Sequence, residues 1–244
     1  MDRRAVTLAA ASSLSSAVAW SRRDRRLDPR ALLARAGQAP DSVKVNLGSS
    51  LLVAPGWVNV EGSVVALLGR CPRAVLRPLA PLSAVGGSMT GDTFADTLRG
   101  HVFVHHDLRY GAPFIDASVD VALMSHFLEH LSRSQGRALL AECRRVLRPG
   151  GLLRVAVPDL APAIQALKAD RLEEGLAGIF MDGVTHEADY HHYGYDERLL
   201  AETLAEAGFV AARRCDFREG DAPDLERLDN RPDGTLFMEA RRPG

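Results

Sequence analysis

Arg145-Val146-Leu147-Arg148-Pro149-Gly150-Gly151 joins the two patterns that decide the fold. Before it, Leu139, Leu140, Cys143, Val146 and Leu147 recur at helical spacing, which predicts a helix over about 134–147. Proline cannot continue that helix and glycine tolerates a left-handed cap, so the chain turns there. After it, residues 152–158 form a short apolar run of strand length, and residues 119–125 upstream have the same character. Strand, helix and strand in that order form a unit with parallel strands, because the helix serves as the crossover that a parallel pair requires.

Outward from this unit the alternation repeats. Candidate strands cover residues 43–47, 57–61, 102–106, 210–217 and 235–240. Helical patterns cover 161–172 and the stretch after Asp196, an N-cap residue followed by Leu199, Leu200, Leu204 and Ala205 on one face and by Gly208 as terminator. The expected fold is α/β, with a mostly parallel seven-stranded sheet covered by helices on both faces. Two segments stand outside the alternation and are expected to carry specificity. Residues 62–100 contain an apolar helical pattern at Val64, Val65, Leu67, Leu68, Val75 and Leu76 and a Gly/Ser loop at 86–88, while residues 173–195 are rich in His and Tyr.

The chain has 244 residues, which suits one core better than two domains and a linker. With 46% apolar residues, 25% charged residues and a mean hydropathy of -0.07, it reads as a soluble globular protein. A net charge of -1 gives no overall field to attract a polyanion, so nucleic acid is not an expected partner. The charge is uneven, since residues 1–40 hold eight Arg against three Asp. Arg3 and Arg4 precede a stretch of Ala and Ser up to Trp20, with Ala17 and Ala19 at a small-x-small site. That stretch is too polar for a membrane span and weak as an export signal. Residues 1–40 are therefore expected to form a basic helical arm, with a short helix at 29–36 packing on a domain that spans 41–244. Cys71, Cys143 and Cys215 show no paired spacing and read as small buried hydrophobes, which fits a reducing cytoplasm.

Four landmarks stand in order. They are Val45-Asn46-Leu47-Gly48-Ser49-Ser50, then Pro55-Gly56-Trp57-Val58-Asn59-Val60-Glu61, then His106-Asp107-Leu108 leading to Ser118-Val119-Asp120-Val121, and finally Ser125-His126-Phe127-Leu128-Glu129-His130-Leu131 leading to the 145–151 turn. In this order they resemble the class I S-adenosylmethionine (SAM) dependent methyltransferases of the type 11 branch, over residues 43–240. The resemblance implies the Rossmann-like fold of that class, SAM as cofactor and S-adenosylhomocysteine as product. It implies a small-molecule acceptor, with methylation at a hydroxyl, in secondary metabolism, as the first expectation. A fold-keeping protein with a degenerate site, using SAM for other chemistry or serving as a non-catalytic partner, is the alternative. A homodimer is allowed for, and stable membrane insertion is not expected.

The same resemblance distributes roles. Asn46, Gly48 and Ser50 belong to the turn that approaches the cofactor, where a Cβ at Gly48 would hold the ligand off. Glu61 matches the acid that accepts the ribose hydroxyls. Asp107 matches the partner of the adenine amino group, Leu108 could pack on the ring, and Ser125 and His126 face the methionine end. The family usually has Gly at the position of Ser50, so a positive φ there would be strained. Only eight residues separate Gly48 from Trp57, fewer than a parallel crossover needs, so the first helix should shrink to about one turn.

Methyl transfer is an in-line displacement whose leaving group departs neutral, so the protein supplies alignment and, for a hydroxyl nucleophile, a base. His126, Glu129 and His130 share a face if helical. The resemblance, to some small-molecule O-methyltransferases of this class, implies His130 as the candidate base and Asp159, just after the fifth strand, as its orienting acid, with Glu129 and His130 as plain helix-capping residues the competing reading. His191 and His192, in the 173–195 segment, are alternative bases. The segment could also be a lid that closes over substrate, and with His186 and an acid its histidines would suit a divalent cation, but they follow no recognised ligand spacing, so no metal is expected.

Overall fold

The computed structural model describes residues 15–18, 20–82, 89–180 and 190–244. The Gly/Ser loop at 86–88, His186 and the first fourteen residues lie outside them. Seven strands form one sheet: β1 (Lys44–Leu47), β2 (Trp57–Glu61), β3 (Val102–His105), β4 (Val119–Ser125), β5 (Leu147–Pro158), β6 (Val210–Cys215) and β7 (Thr235–Arg241). Their order is β3-β2-β1-β4-β5-β7-β6, with β7 antiparallel to both of its neighbours and the other pairs parallel. Each expected strand is present. β5 begins earlier than expected, at Leu147, so the Pro149-Gly150 turn is part of an extended segment in which Leu147 pairs with Val119.

Strand alternation sends successive side chains to opposite faces. On the first face Val45, Leu47, Val58, Val60, Met124, Leu153, Val155, Leu236 and Met238 form an apolar core. It is covered by α1 (Pro29–Arg35), through the fully buried Leu33, and by two longer helices, α3 (Arg133–Val146) and α6 (Glu197–Glu206). Ser132 and Gln135 close a capping box at the start of α3, and the Asp196 side chain accepts from the Leu199 amide at the start of α6.

The second face is built differently because β1 and β2 are joined without any helix. Nine residues, 48–56, make the whole connection. The expected single turn of helix is absent: extended chain covers up to about 3.3 Å per residue, so a loop of this length returns along so short a strand unaided. Its Leu52 carbonyl accepts from the Asn46 side chain at 2.8 Å, and Asn46 in turn lies beside Asn59, its register partner on β2. Other segments cover the vacated face. Ala54, Trp57, Leu123 and Leu152 pack with Ala222, Leu225 and Leu228 from the β6–β7 connection. Leu51 packs with Leu76, Phe94, Ala95 and Leu98. The last three belong to α2 (Gly91–Gly100), so the described residues between β2 and β3, 62–82 and 89–100, form part of the sheet's cover.

A buried charge knot fixes that cover. The Arg154 guanidinium on β5 donates to Asp229 at 2.6 Å and to Glu239 on β7 at 3.2 Å, and to the backbone carbonyl of Glu219 at 3.0 Å. Glu239 also accepts from the amides of Asp221 and Ala222. The helical pattern at 161–172 resolves into two helices, α4 (Ala161–Lys168) and α5 (Leu172–Phe180). Asp170, at φ +59, turns the chain between them, and Gly175 brings α5 against Leu167 of α4. No helix among the described residues is long and apolar enough to cross a membrane.

Candidate active site

The carboxyl ends of β1 to β4 lie side by side, and open α/β sheets bind ligands there. Gly48 follows β1 at φ +72, and a Cβ on it would stand 2.4 Å from Cδ2 of Phe127. The glycine is thus needed twice, for its left-handed backbone and for the ring packed against it. Ser50 sits at φ +48, the strained conformation expected of a non-glycine there. Its amide donates to Oε2 of Glu61 at 2.8 Å, while the Ser63 amide donates to Oε1 at 2.8 Å. Glu61 therefore ends β2 with its carboxylate fixed between two loops.

Asp107, just past β3, is clamped by Arg109. Nε and Nη2 of Arg109 donate to the carboxylate at 3.0 and 2.6 Å, and the Arg109 amide adds a third bond. Burial alone would raise the Asp107 carboxyl, but these bonds outweigh it and hold the group below its ordinary value. Leu108 turns into the first-face core and Asn46 is taken up by the Leu52 carbonyl. Those two side chains thus serve packing in this arrangement. The Ser15 hydroxyl reaches the Gly62 carbonyl at 2.5 Å and His105 Nε2 at 2.8 Å, which brings the basic arm to the ends of β2 and β3.

At the end of β4, Ser125 is followed by His126 at φ +50. Strained backbone at a titratable residue is a common feature of functional sites. Leu128–His130 forms one 3-10 turn. It brings the three spaced residues together: His126 Nδ1 lies 3.4 Å and His130 Nε2 4.0 Å from Oε1 of Glu129. The expected pairing of Asp159 with His130 is not formed. Asp159 accepts from the Ala161 amide at 2.9 Å and meets Arg214 at 3.4 Å, in an open cleft of about 410 Å³ with Asp196 and Glu197. The acid beside His130 is Glu129, for which the sequence offered a face shared with the two histidines and, as the competing reading, a helix-capping role.

The 190–195 segment returns over this turn. The amides of His192 and Tyr193 donate to the Glu129 carbonyl at 2.8 and 3.2 Å, and the His130 and His191 rings meet edge to face at 5.2 Å. Burial lowers the His191 pKa, with nearby Glu129 opposing and His130, His126 and Arg231 reinforcing the shift. The sequence offered His191 as an alternative base; its approach to Glu129 depends on a chain return that spacing does not encode.

Residues 89–155 match the family model described as methyltransferase domain, within the type 11 branch. The matched stretch, 67 of the 244 residues, runs from α2 through β3, β4 and α3 into β5. No curated protein matches it in sequence. Similar solved structures include a SAM-dependent methyltransferase from Thermotoga maritima, at 14% identity over 87% of each chain with a TM-score of 0.47. Another from Archaeoglobus fulgidus is 14% identical over 87% of this chain and 92% of that one, with a TM-score of 0.47. Phosphoethanolamine N-methyltransferase 2 of Haemonchus contortus, solved with phosphomonomethylethanolamine and S-adenosylhomocysteine, is 12% identical over 88% of this chain and 52% of that one, with a TM-score of 0.46.

Proposed function

We propose that this methyltransferase-fold chain binds SAM at the β1–β4 edge and methylates a small-molecule acceptor at a hydroxyl, as in secondary metabolism. The observation that carries the reading is the placement of two fixed carboxylates, Glu61 and Asp107, beside the Gly48 turn, with the Glu129 and His130 group at the next strand end. SAM, when bound, supplies an electrophilic methyl group on a sulfonium. Glu61 would accept from the ribose hydroxyls, since each of its oxygens has a lone pair left after the Ser50 and Ser63 bonds. Asp107, with Arg109 beside it, would meet the adenine amino group. Ser125 and His126 would border the methionine end, with Gly48 and Ser50 forming the turn below.

His130 supports the role of base by its tautomer. Its Nδ1 lies 3.3 Å from the Tyr190 carbonyl, which can only accept, so Nε2 is left with a lone pair for the acceptor's proton. The Tyr190 carbonyl takes the orienting place first given to Asp159, and Glu129 lies on the Nε2 side. The test is transfer of a labelled methyl group from SAM to a panel of hydroxylated small molecules. Product should form, and His130→Ala should slow it by about 10²–10⁴-fold without weakening S-adenosylhomocysteine binding. An unchanged rate in that variant, or transfer only to nitrogen or carbon acceptors, would refute the hydroxyl chemistry.

A further inference from the structure

Glu129 is only 1% exposed, and neither of its carboxylate oxygens has a hydrogen-bond donor among the described residues. A buried carboxylate needs a compensating positive group. What faces it instead is imidazole. With the His130 Nδ1 proton directed at the Tyr190 carbonyl, the lone pair is on Nε2, which lies 4.0 Å from the carboxylate. His126 Nδ1, also buried and without a partner among the described residues, stands 3.4 Å from the same oxygen. His126 Nε2 meets the Thr235 hydroxyl at 3.3 Å, and among the described residues no contact to the carboxylate is a formed hydrogen bond, so the buried anion has no fixed compensating charge.

We propose that Glu129, His130 and His191 form a binding site for a divalent first-row transition cation of the zinc type. One ligand atom from each lies within 4.8 Å of the others. Zinc holds such atoms at about 2.0–2.2 Å, hence roughly 3.3 Å apart, so the side chains close by about 1–1.5 Å on binding. Two imidazoles and one carboxylate are a donor set that suits zinc and its neighbours and leaves a coordination position open. The Tyr190 carbonyl behind His130 is the kind of outer contact that fixes a ligand's tautomer. The backbone bonds from His192 and Tyr193 to the Glu129 carbonyl hold the His191 segment over the turn. The expectation of no metal came from sequence spacing, and one of the three ligands arrives from sixty residues away. A bound cation would commit the His130 lone pair and polarise an acceptor hydroxyl at its open position, so His130 would serve as base in the metal-free protein only.

The site rests on side-chain geometry and not on methyl transfer, so metal binding is measured without SAM and the two readings fail separately. Full-length, untagged protein is dialysed against metal-free buffer, then titrated with Zn²⁺ by competition with a chromophoric chelator and with Co²⁺ by visible absorption. We expect one equivalent of Zn²⁺ and visible cobalt bands. His191→Ala and Glu129→Gln should each weaken Zn²⁺ at least tenfold, and His192→Ala should not. Circular dichroism of His191→Ala, which alters only the overlying segment, guards against unfolding. Folded wild-type protein that takes up no stoichiometric metal would overturn the proposal and leave a proton as the balancing charge. Equal binding by all the variants would overturn it too, as adventitious surface chelation.

Discussion

Gly48→Ala would add a methyl group 2.4 Å from the Phe127 ring in a residue already at φ +72. The left-handed backbone costs about 1–2 kcal/mol for a non-glycine, and overpacking adds about 1–3 kcal/mol. Urea unfolding of the variant should therefore show a loss of about 2–5 kcal/mol, and a loss under 1 kcal/mol would mean that the ring does not rest on the turn. A second residue-scale outcome concerns thiols. Burial pushes the Cys143 thiol up to about 12, on the core face of α3. A thiol-specific disulfide reagent should modify the partly exposed Cys71 in the native protein and Cys143 only after unfolding. At this scale the sequence was informative about backbone: the Gly48 turn follows from residue type, and the Ser50 strain from the glycine that the resemblance puts at its position. It was less informative about partners, because Arg109 on Asp107 and Phe127 on Gly48 are side-chain choices that spacing does not fix.

Among elements, the helix-free connection from β1 to β2 depends on polar side chains that a strand normally excludes. Arg154→Met would leave Asp229 and Glu239 buried without their cation. The expected cost is about 3–5 kcal/mol, read by denaturant unfolding; a neutral result would show that the β6–β7 connection is held by its apolar contacts alone. Asp224 ties the same cover to the sheet, accepting from Lys44 Nζ and Trp57 Nε1 at 2.7 Å each. Burial would raise its carboxyl, but those two donors prevail and the folded value is lowered. A lowered folded pKa stabilises the native state above the unfolded value, about 3.9, and the contribution is lost as pH falls through the folded value. Thermal unfolding between pH 7 and 3 should show Asp224→Asn less stable at neutral pH and with a shallower acid decline. Parallel curves for the two proteins would contradict the link. Asn46 shows why this face was hard to read. A polar residue beside a glycine turn resembles a ligand contact, yet its amide closes a loop where a helix is missing.

Across the whole molecule, the apolar face was legible from alternation, and so was the strand count. The other face was not, since Trp57 meets Leu225 and Leu51 meets Phe94 from distant parts of the chain. The candidate site divides the same way: His126, Glu129 and His130 are neighbours by local spacing, whereas His191 joins them through tertiary return. What unites these features is the claim that the β1–β4 edge, with Glu61 at its centre, is a SAM site despite the absent first helix. Isothermal titration of S-adenosylhomocysteine into the full chain tests this most directly. Saturable one-to-one binding in the wild type, weakened at least tenfold in a folded Glu61→Gln variant, is the predicted result; no heat of binding in the wild type, or equal binding in the variant, would contradict it.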